Sequence, residues 1–153
     1  SFRVLDLPGP TSGHIAYYGA NMLFCGDTLF GCGCGRLFEG TAQQMVESLE
    51  KLADLPKDTL IYCGHEYTLS NIRFARTVEP GNQALAKREV EAEKLRNEGL
   101  PTLPSTIALE KATNPFLRCT EAEVIESASS HAGKPLNDRV SVFAAIREWK
   151  NHF

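Results

Sequence analysis

Two segments of the chain place metal-binding residue types directly after apolar runs. Residues 23–28 (LFCGDT) and 61–66 (IYCGHE) both end an apolar run in Cys-Gly, followed by Asp27 in one and by His65 in the other. A glycine there lets the chain turn sharply off the end of a strand. If the two strands are neighbours, Asp27 and His65 emerge at one edge of the sheet, where a carboxylate and an imidazole can hold a transition metal. The alternative is a structural Asp that caps a loop and an unrelated surface His.

The glycine-rich segment 31–35 (GCGCG) has three interpretations. It lacks the glycine pattern of a dinucleotide-binding loop, and no Lys-Ser/Thr follows it as in a phosphate-binding loop. Its cysteines, with Cys25 and Cys63, could bind zinc or an iron–sulfur cluster, although the chain has no Cys-x2-Cys pair. We favour a tight loop that passes close to a site, in which Cys32 and Cys34 act as small apolar residues.

Arg147 and Lys150 could together bind an anion. They are three residues apart on the last predicted helix and therefore lie on one side of it. Cations near the carboxyl end of a helix are also favoured by the helix dipole, so the residues alone leave both roles open.

The elements that must position these residues change in type along the chain. Up to about residue 65, the pattern predicts short strands with glycine-rich turns: a strand at 2–6, a hairpin of 14–18 and 22–25, and a strand at 59–63. Between them, an amphipathic helix is predicted at 42–55, with Thr41 as its N-cap and Pro56 as its stop.

After His65, the pattern is mainly helical. Helices are predicted at 70–76, 83–97 and 105–112, one opens with a capping box at 120–123, and the last runs from Asn137 or Asp138 towards Phe153. The charged run within 83–97 is expected to form a solvated face.

Composition limits the classes of function. The 153 residues suit one domain, and the net charge of −3 argues against a broad basic face for nucleic acid. No window approaches the ~18 consecutive apolar residues of a membrane span. The five cysteines are an odd number and favour a reducing cytosol over a disulfide-stapled secreted domain. We therefore expect a cytoplasmic protein without nucleic-acid or membrane partners.

A series of motifs along the chain resembles one known family. They are TSGHI at 11–15, GDTLF at 26–30, GCGR at 33–36, EGT at 39–41, CGHEYT at 63–68, FAR at 74–76, VEPGN at 78–82, PST at 104–106, NPFLR at 114–118 and REWK at 147–150. In this order and spacing, the chain resembles glyoxalase II (hydroxyacylglutathione hydrolase), of the metallo-β-lactamase superfamily. The resemblance implies an α/β fold: the second half of an αβ/βα sandwich at 1–79, then a helical glutathione-binding domain at 80–153.

The resemblance also implies an activity and roles for single residues. Asp27 would bridge two divalent metal ions and orient the hydroxide between them, and His65 would bind one ion; zinc is expected, with iron or manganese as alternatives. The glutathione part of a small-molecule thiolester would be held by four residues: Arg36, Tyr67, Arg147 and Lys150. The implied reaction is hydrolysis of S-D-lactoylglutathione to D-lactate and glutathione in methylglyoxal detoxification.

Some positions depart from the family pattern. The metal-binding segment His-x-His-x-Asp-His, which precedes the position of Ser1 in relatives, is absent, and Pro10 stands where relatives have a metal-binding His. His14 occurs in relatives without a ligand role, and Phe38 replaces a Tyr hydroxyl of some relatives. We therefore expect an incomplete portion of an enzyme that is a monomer when complete. The portion would lack most metal ligands and expose a sheet face or edge that the remainder should cover.

Two other functions remain open at this point. Pro10 would suit an inactive remnant that binds glutathione or a protein partner. A redox or metal-storage module would instead use four cysteines: Cys25, Cys32, Cys34 and Cys63.

Overall fold

The computed structural model describes residues 1–153 and contains seven short strands and six α-helices, with most of the strands in the first part of the chain. The strands are β1 (Arg3–Asp6), β2 (Ile15–Gly19), β3 (Met22–Gly26), β4 (Leu29–Phe30), β5 (Gly33–Cys34), β6 (Leu60–Cys63) and β7 (Ser105–Thr106). The helices are α1 (Ala42–Ala53), α2 (Thr68–Val78), α3 (Gln83–Asn97), α4 (Ile107–Thr113), α5 (Ala122–Ala132) and α6 (Arg139–Asn151), with a 3-10 turn at Pro115–Leu117. The predicted α/β class, with strands first and helices after, is confirmed.

Five strands form one mixed sheet in the order β1-β2-β3-β6-β7, and β4 pairs only with β5. The pairs β1–β2, β2–β3 and β6–β7 are antiparallel. β3 and β6 are parallel neighbours, with α1 in the connection between them. Their carboxyl ends therefore meet at the same edge of the sheet, as the sequence analysis required for Asp27 and His65 to approach each other.

The two faces of the sheet have different surroundings because side chains alternate along each strand. On one face, Leu23 lies opposite Ile61, and both are buried in the main core. On the other face, Val4, Tyr17 and Phe24 follow one another across β1, β2 and β3, and all three are exposed. The chain thus has an uncovered apolar sheet face, as expected.

The buried face of the sheet shares one core with every helix except α3, whose buried apolar residues lie in a second, smaller cluster. α1 contributes Met45, Leu49 and Leu52 to the main core. Thr41 begins it as predicted, because its side chain accepts a hydrogen bond from Gln44 N while the Gln44 side chain accepts one from Thr41 N. The same core contains buried residues of α5 and α6, so it extends from the sheet to the last helix. No helix is both long enough and apolar enough to cross a bilayer.

Three local predictions are wrong. Residues 105–106 form a strand before α4, because they pair with β6. The predicted capping box at 120–123 does not form: Glu121 is the N-cap of α5, and the Glu123 carboxylate instead accepts a hydrogen bond from Gly81 N at 2.7 Å. The charged run of α3 is not wholly solvated, because Arg88 is buried against Glu110.

Candidate functional site

Asp27 and His65 meet at the carboxyl ends of β3 and β6. Gly26 turns the chain off β3 with a φ of +54°, and its carbonyl accepts a hydrogen bond from Gly64 N at 2.8 Å. Asp27 Oδ1 then lies 3.0 Å from His65 Nδ1. A side chain at Gly64 would place its Cβ 2.5 Å from Asp27 Oδ1, so only glycine permits this approach. The side chain of Asp27 is 55% exposed and that of His65 is 48% exposed, so a ligand can reach both.

One cavity of about 620 Å³ contains all six residues that the sequence analysis assigned to a site. It is lined by Pro10, Thr11, His14, Asp27, Phe30, Cys34, Gly35, Arg36, Phe38, His65, Tyr67, Ser70, Asn71, Arg147 and Lys150. The Asp27–His65 pair comes from the sheet edge, and Arg147 and Lys150 come from α6. The structure therefore brings together residues that are up to 123 positions apart in sequence, between Asp27 and Lys150.

The basic residues of the cavity have no carboxylate partner. None of Arg36, Arg147 and Lys150 takes part in a salt bridge. Burial lowers the pKa of Lys150, and the neighbouring charges of Arg147 and Arg36 lower it further. This cluster of positive charge is suited to an anion supplied from outside the chain.

Arg147 also has a structural role that the sequence did not indicate. Its side chain is only 4% exposed, and Nη1 donates a hydrogen bond of 2.7 Å to the Cys34 carbonyl. Nη2 donates to Asn151 Oδ1 at 3.2 Å, whereas the buried Nε has no partner. Arg147 therefore ties α6 to the glycine-rich segment and keeps one donor unused.

Aromatic rings form the wall beside His65. The Tyr67 ring stacks on the His65 ring with centroids 4.7 Å apart, and the Phe30 ring meets Tyr67 edge-on at 5.1 Å. Phe38, at the cavity mouth, is 76% exposed. These contacts restrict the rotation of His65 and leave the Tyr67 hydroxyl available to a ligand, since no hydrogen bond of the fold occupies it.

The glycine-rich segment is a tight loop beside the cavity, as favoured above. Three side chains that the sequence analysis did not select hold its backbone: Asn71, Glu110 and Asn114. They follow the loop by 40, 78 and 81 positions, respectively, so no short-range pattern could reveal these contacts.

The chain supplies few of the side chains that a metal ion needs. Asp27 and His65 are adjacent and chemically suitable, but no group of three or more His, Cys, Asp or Glu side chains is present. His14 Nε2 lies 3.1 Å from the Cys25 carbonyl, and Pro10 has no ligand atom. A catalytic zinc centre normally needs three protein ligands. The residues of this chain alone therefore do not fit a metal centre.

The cysteines are placed unfavourably for redox or metal-storage chemistry. All five are free, and all but Cys63 are buried. Burial raises the pKa of Cys25 and of Cys32 to about 12, so both stay protonated at neutral pH. Since the thiolate is the nucleophile and the metal ligand, this favours the interpretation of the loop cysteines as small apolar residues.

Comparison with known proteins gives consistent matches over the whole chain. Residues 66–153 match the family model "Hydroxyacylglutathione hydrolase C-terminus", and residues 2–65 match "Metallo-beta-lactamase superfamily". A hydroxyacylglutathione hydrolase of Nitrosomonas eutropha is 65% identical over 152 residues, which are 99% of this chain and 60% of that relative. The chain thus spans about 60% of the length of the curated relative it matches.

Two solved structures are also similar. ETHE1 from Myxococcus xanthus has a TM-score of 0.57 at 26% identity, with 97% of this chain and 45% of that chain covered. TTHA1623, solved in a di-iron-bound form, has a TM-score of 0.50 at 28% identity, with 76% of this chain and 42% of that chain covered.

The burial of the thiols predicts how they react. With a dithionitrobenzoate reagent, we expect the native protein to release about one equivalent quickly, from the half-buried Cys63, and the rest only on unfolding. Cys63→Ser should remove the fast fraction. Rapid reaction of two or more thiols in native Cys63→Ser would contradict the described packing.

Proposed function

The chain belongs to the hydroxyacylglutathione hydrolase family of the metallo-β-lactamase superfamily, and from this premise we propose that it binds the glutathione part of a thiolester substrate. The proposed reaction of the whole enzyme is hydrolysis of S-D-lactoylglutathione to D-lactate and glutathione, in methylglyoxal detoxification. One observation carries the proposal: three basic side chains without carboxylate partners share a cavity with the Asp27–His65 pair.

The basic cluster would hold the carboxylates of glutathione. Lys150 and the exposed Arg36 are free to pair with an anion, and Arg147 Nε is a buried donor without a partner. Hydrogen bonds between such cations and a carboxylate are charge-assisted and stronger than neutral ones. Binding would also remove the mutual repulsion of the three cations, which supports an anionic ligand at this place.

Tyr67 would orient the bound molecule. Its ring is fixed against His65 and Phe30, so its hydroxyl is held beside the Asp27–His65 pair. A ligand held by the basic cluster at one end and by Tyr67 nearer the sheet edge would present its thiolester to that edge. Positioning of this kind lowers the barrier by fixing the reacting carbonyl before attack.

The superfamily fold implies divalent metal ions, and we propose Asp27 and His65 as the ligands that this chain contributes, with zinc as the ion. Two ligands do not complete a centre. For the chain alone, the proposal therefore covers glutathione binding, and hydrolysis requires the full ligand set.

Binding without hydrolysis is the second candidate function. Pro10 in the cavity wall favours it, because this position offers no ligand atom. A longer form that carries further ligands and hydrolyses the thiolester at ordinary rates would rule it out.

The five free cysteines support a reducing compartment, and we propose the cytoplasm.

Lys150 provides the direct test of the anion site. We expect Lys150→Met to weaken binding of the non-hydrolysable thioether S-hexylglutathione about tenfold, because a charge-assisted hydrogen bond contributes roughly 1.5–3 kcal/mol and partial exposure reduces this. Isothermal titration calorimetry measures the change. Lys134→Met is the matched control, since Lys134 is exposed and lies outside the cavity. Equal losses in both variants, or no binding by the wild type, would contradict the proposal.

The lowered pKa of Lys150 predicts proton uptake on binding. The charged ammonium binds the carboxylate, so the affinity should fall as pH rises through the lowered pKa, below the pH expected for an ordinary lysine. A bound anion favours the charged form and raises this pKa again, so each binding event takes up a fraction of a proton. Calorimetry in two buffers of different ionisation enthalpy measures the uptake. If the Lys150→Met variant still takes up protons on binding, the uptake belongs to another group and the prediction is wrong.

A further inference from the structure

Residues 30–35, the Cys-Gly loop, are held in place by side chains from the helical part of the chain. Glu110 Oε1 accepts a hydrogen bond from Cys32 N at 2.9 Å. Asn114 Nδ2 donates to the carbonyls of Gly33 at 3.0 Å and Phe30 at 3.3 Å. The loop is therefore fixed by polar contacts made far along the chain.

Glu110 is the centre of this network. It is fully buried, and Arg88 Nη2 lies 2.8 Å from its Oε2. Ser105 Oγ donates to the same carboxylate, and Asn114 Nδ2 donates to its Oε1 at 3.1 Å. Each carboxylate oxygen thus has partners, as a buried charge requires. Burial alone would lower the pKa of Arg88, but the Glu110 carboxylate and Cys32 raise it, so Arg88 stays charged.

The network holds the loop in a conformation it would not adopt freely. Cys32 has a φ of +57°, which is unfavourable for a residue with a side chain. A Cβ at Gly33 would lie 2.5 Å from Asn71 Nδ2, so the loop packs closely on α2 at a position that suits glycine. Such strain persists only where the surrounding structure fixes it, and here Glu110 does so at Cys32 N.

The far end of the loop is part of the cavity. The Cys34 carbonyl accepts the 2.7 Å hydrogen bond from Arg147, and Gly35 N donates to the Thr28 carbonyl at 3.0 Å. A Cβ at Gly35 would overlap the Asp27 carbonyl oxygen, so the loop and the Asp27 backbone are in direct contact. Arg36 follows immediately. A shift of this end of the loop would therefore disturb its contacts with Arg147 and with the Asp27 backbone, and would move Arg36.

We propose that Glu110 is a positioning residue, which sets the spacing of Asp27, Arg36 and Arg147 through the Cys-Gly loop. It does not line the cavity itself. This inference rests on the proposed function in one respect: the affinity for a glutathione derivative is the main quantity measured in its test.

Two double variants isolate the hydrogen bond from the buried charge. Arg88→Met with Glu110→Gln removes both charges but keeps an acceptor for Cys32 N, whereas Arg88→Met with Glu110→Leu removes the acceptor as well. We expect the Gln variant to bind S-hexylglutathione within about threefold of the wild type, and the Leu variant to bind about tenfold more weakly or worse.

Stability is controlled separately. Val124→Ala removes buried volume on α5, outside the network, and should lower the melting temperature without changing the affinity of the folded protein. If the Leu variant does not fold, Asn114→Ala takes its place in the test. Asn114→Ala removes the side-chain amide that donates hydrogen bonds to the Phe30 and Gly33 carbonyls. Equal affinities of the Gln and Leu variants, both folded, would overturn the inference and leave Glu110 a purely structural role.

A second readout keeps this test separate from the proposed function. If the wild type does not bind S-hexylglutathione, the proposed function fails, but hydrogen exchange still tests the loop. We expect the amides of Cys32 and Gly35 to exchange at least about tenfold faster in the Leu variant than in the Gln variant, with α5 amides unchanged. Equal exchange rates at both amides would overturn the inference by this route.

Discussion

The parallel pairing of β3 and β6 is the constraint on which the rest of the site depends. The two strands are adjacent and run in the same direction, so the turns at residues 25–26 and 63–64 lie side by side. Gly64 N donates a hydrogen bond to the Gly26 carbonyl. Asp27 and His65 follow directly and meet at 3.0 Å. A glycine at each turn is the local requirement, and the packing of α1 against the sheet supports the connection between the strands.

In the same cavity as this pair, three cationic side chains come together without a carboxylate partner in the chain. Arg147 is held by the Cys34 carbonyl, and the lowered pKa of Lys150 reflects its burial and its cationic neighbours. The mutual repulsion of these cationic side chains slightly destabilises the cavity and favours the binding of an anionic ligand. The buried Arg88–Glu110 pair stands in contrast, because both Glu110 oxygens have partners within the chain, and one of them accepts a hydrogen bond from Cys32 N in the Cys-Gly loop.

Local patterns in the sequence predicted what depends on local structure. The periodicity of 42–55 and 83–97 indicated α1 and α3. The two apolar runs that end in Cys-Gly, at 25–26 and 63–64, indicated that Asp27 and His65 could meet. Helix spacing alone marked Arg147 and Lys150 as a possible anion-binding pair, and the resemblance added Arg36 and Tyr67 and a substrate for all four. The structure brings these four residues into one cavity, although their roles stay predictions. Contacts between distant segments were not predictable: Glu110 reaches Cys32 across 78 positions, and Glu123 bonds to Gly81 instead of capping its own helix.

The most direct test of this account is to map where a glutathione thioether binds. Backbone and side-chain NMR shifts of the labelled chain, titrated with S-hexylglutathione, should change at Arg36, Tyr67 and Lys150, which all line the cavity. The exposed sheet face, with Val4, Tyr17 and Phe24, should stay unchanged. Shifts confined to that apolar face, with none in the cavity, would contradict a glutathione site formed by the basic cluster.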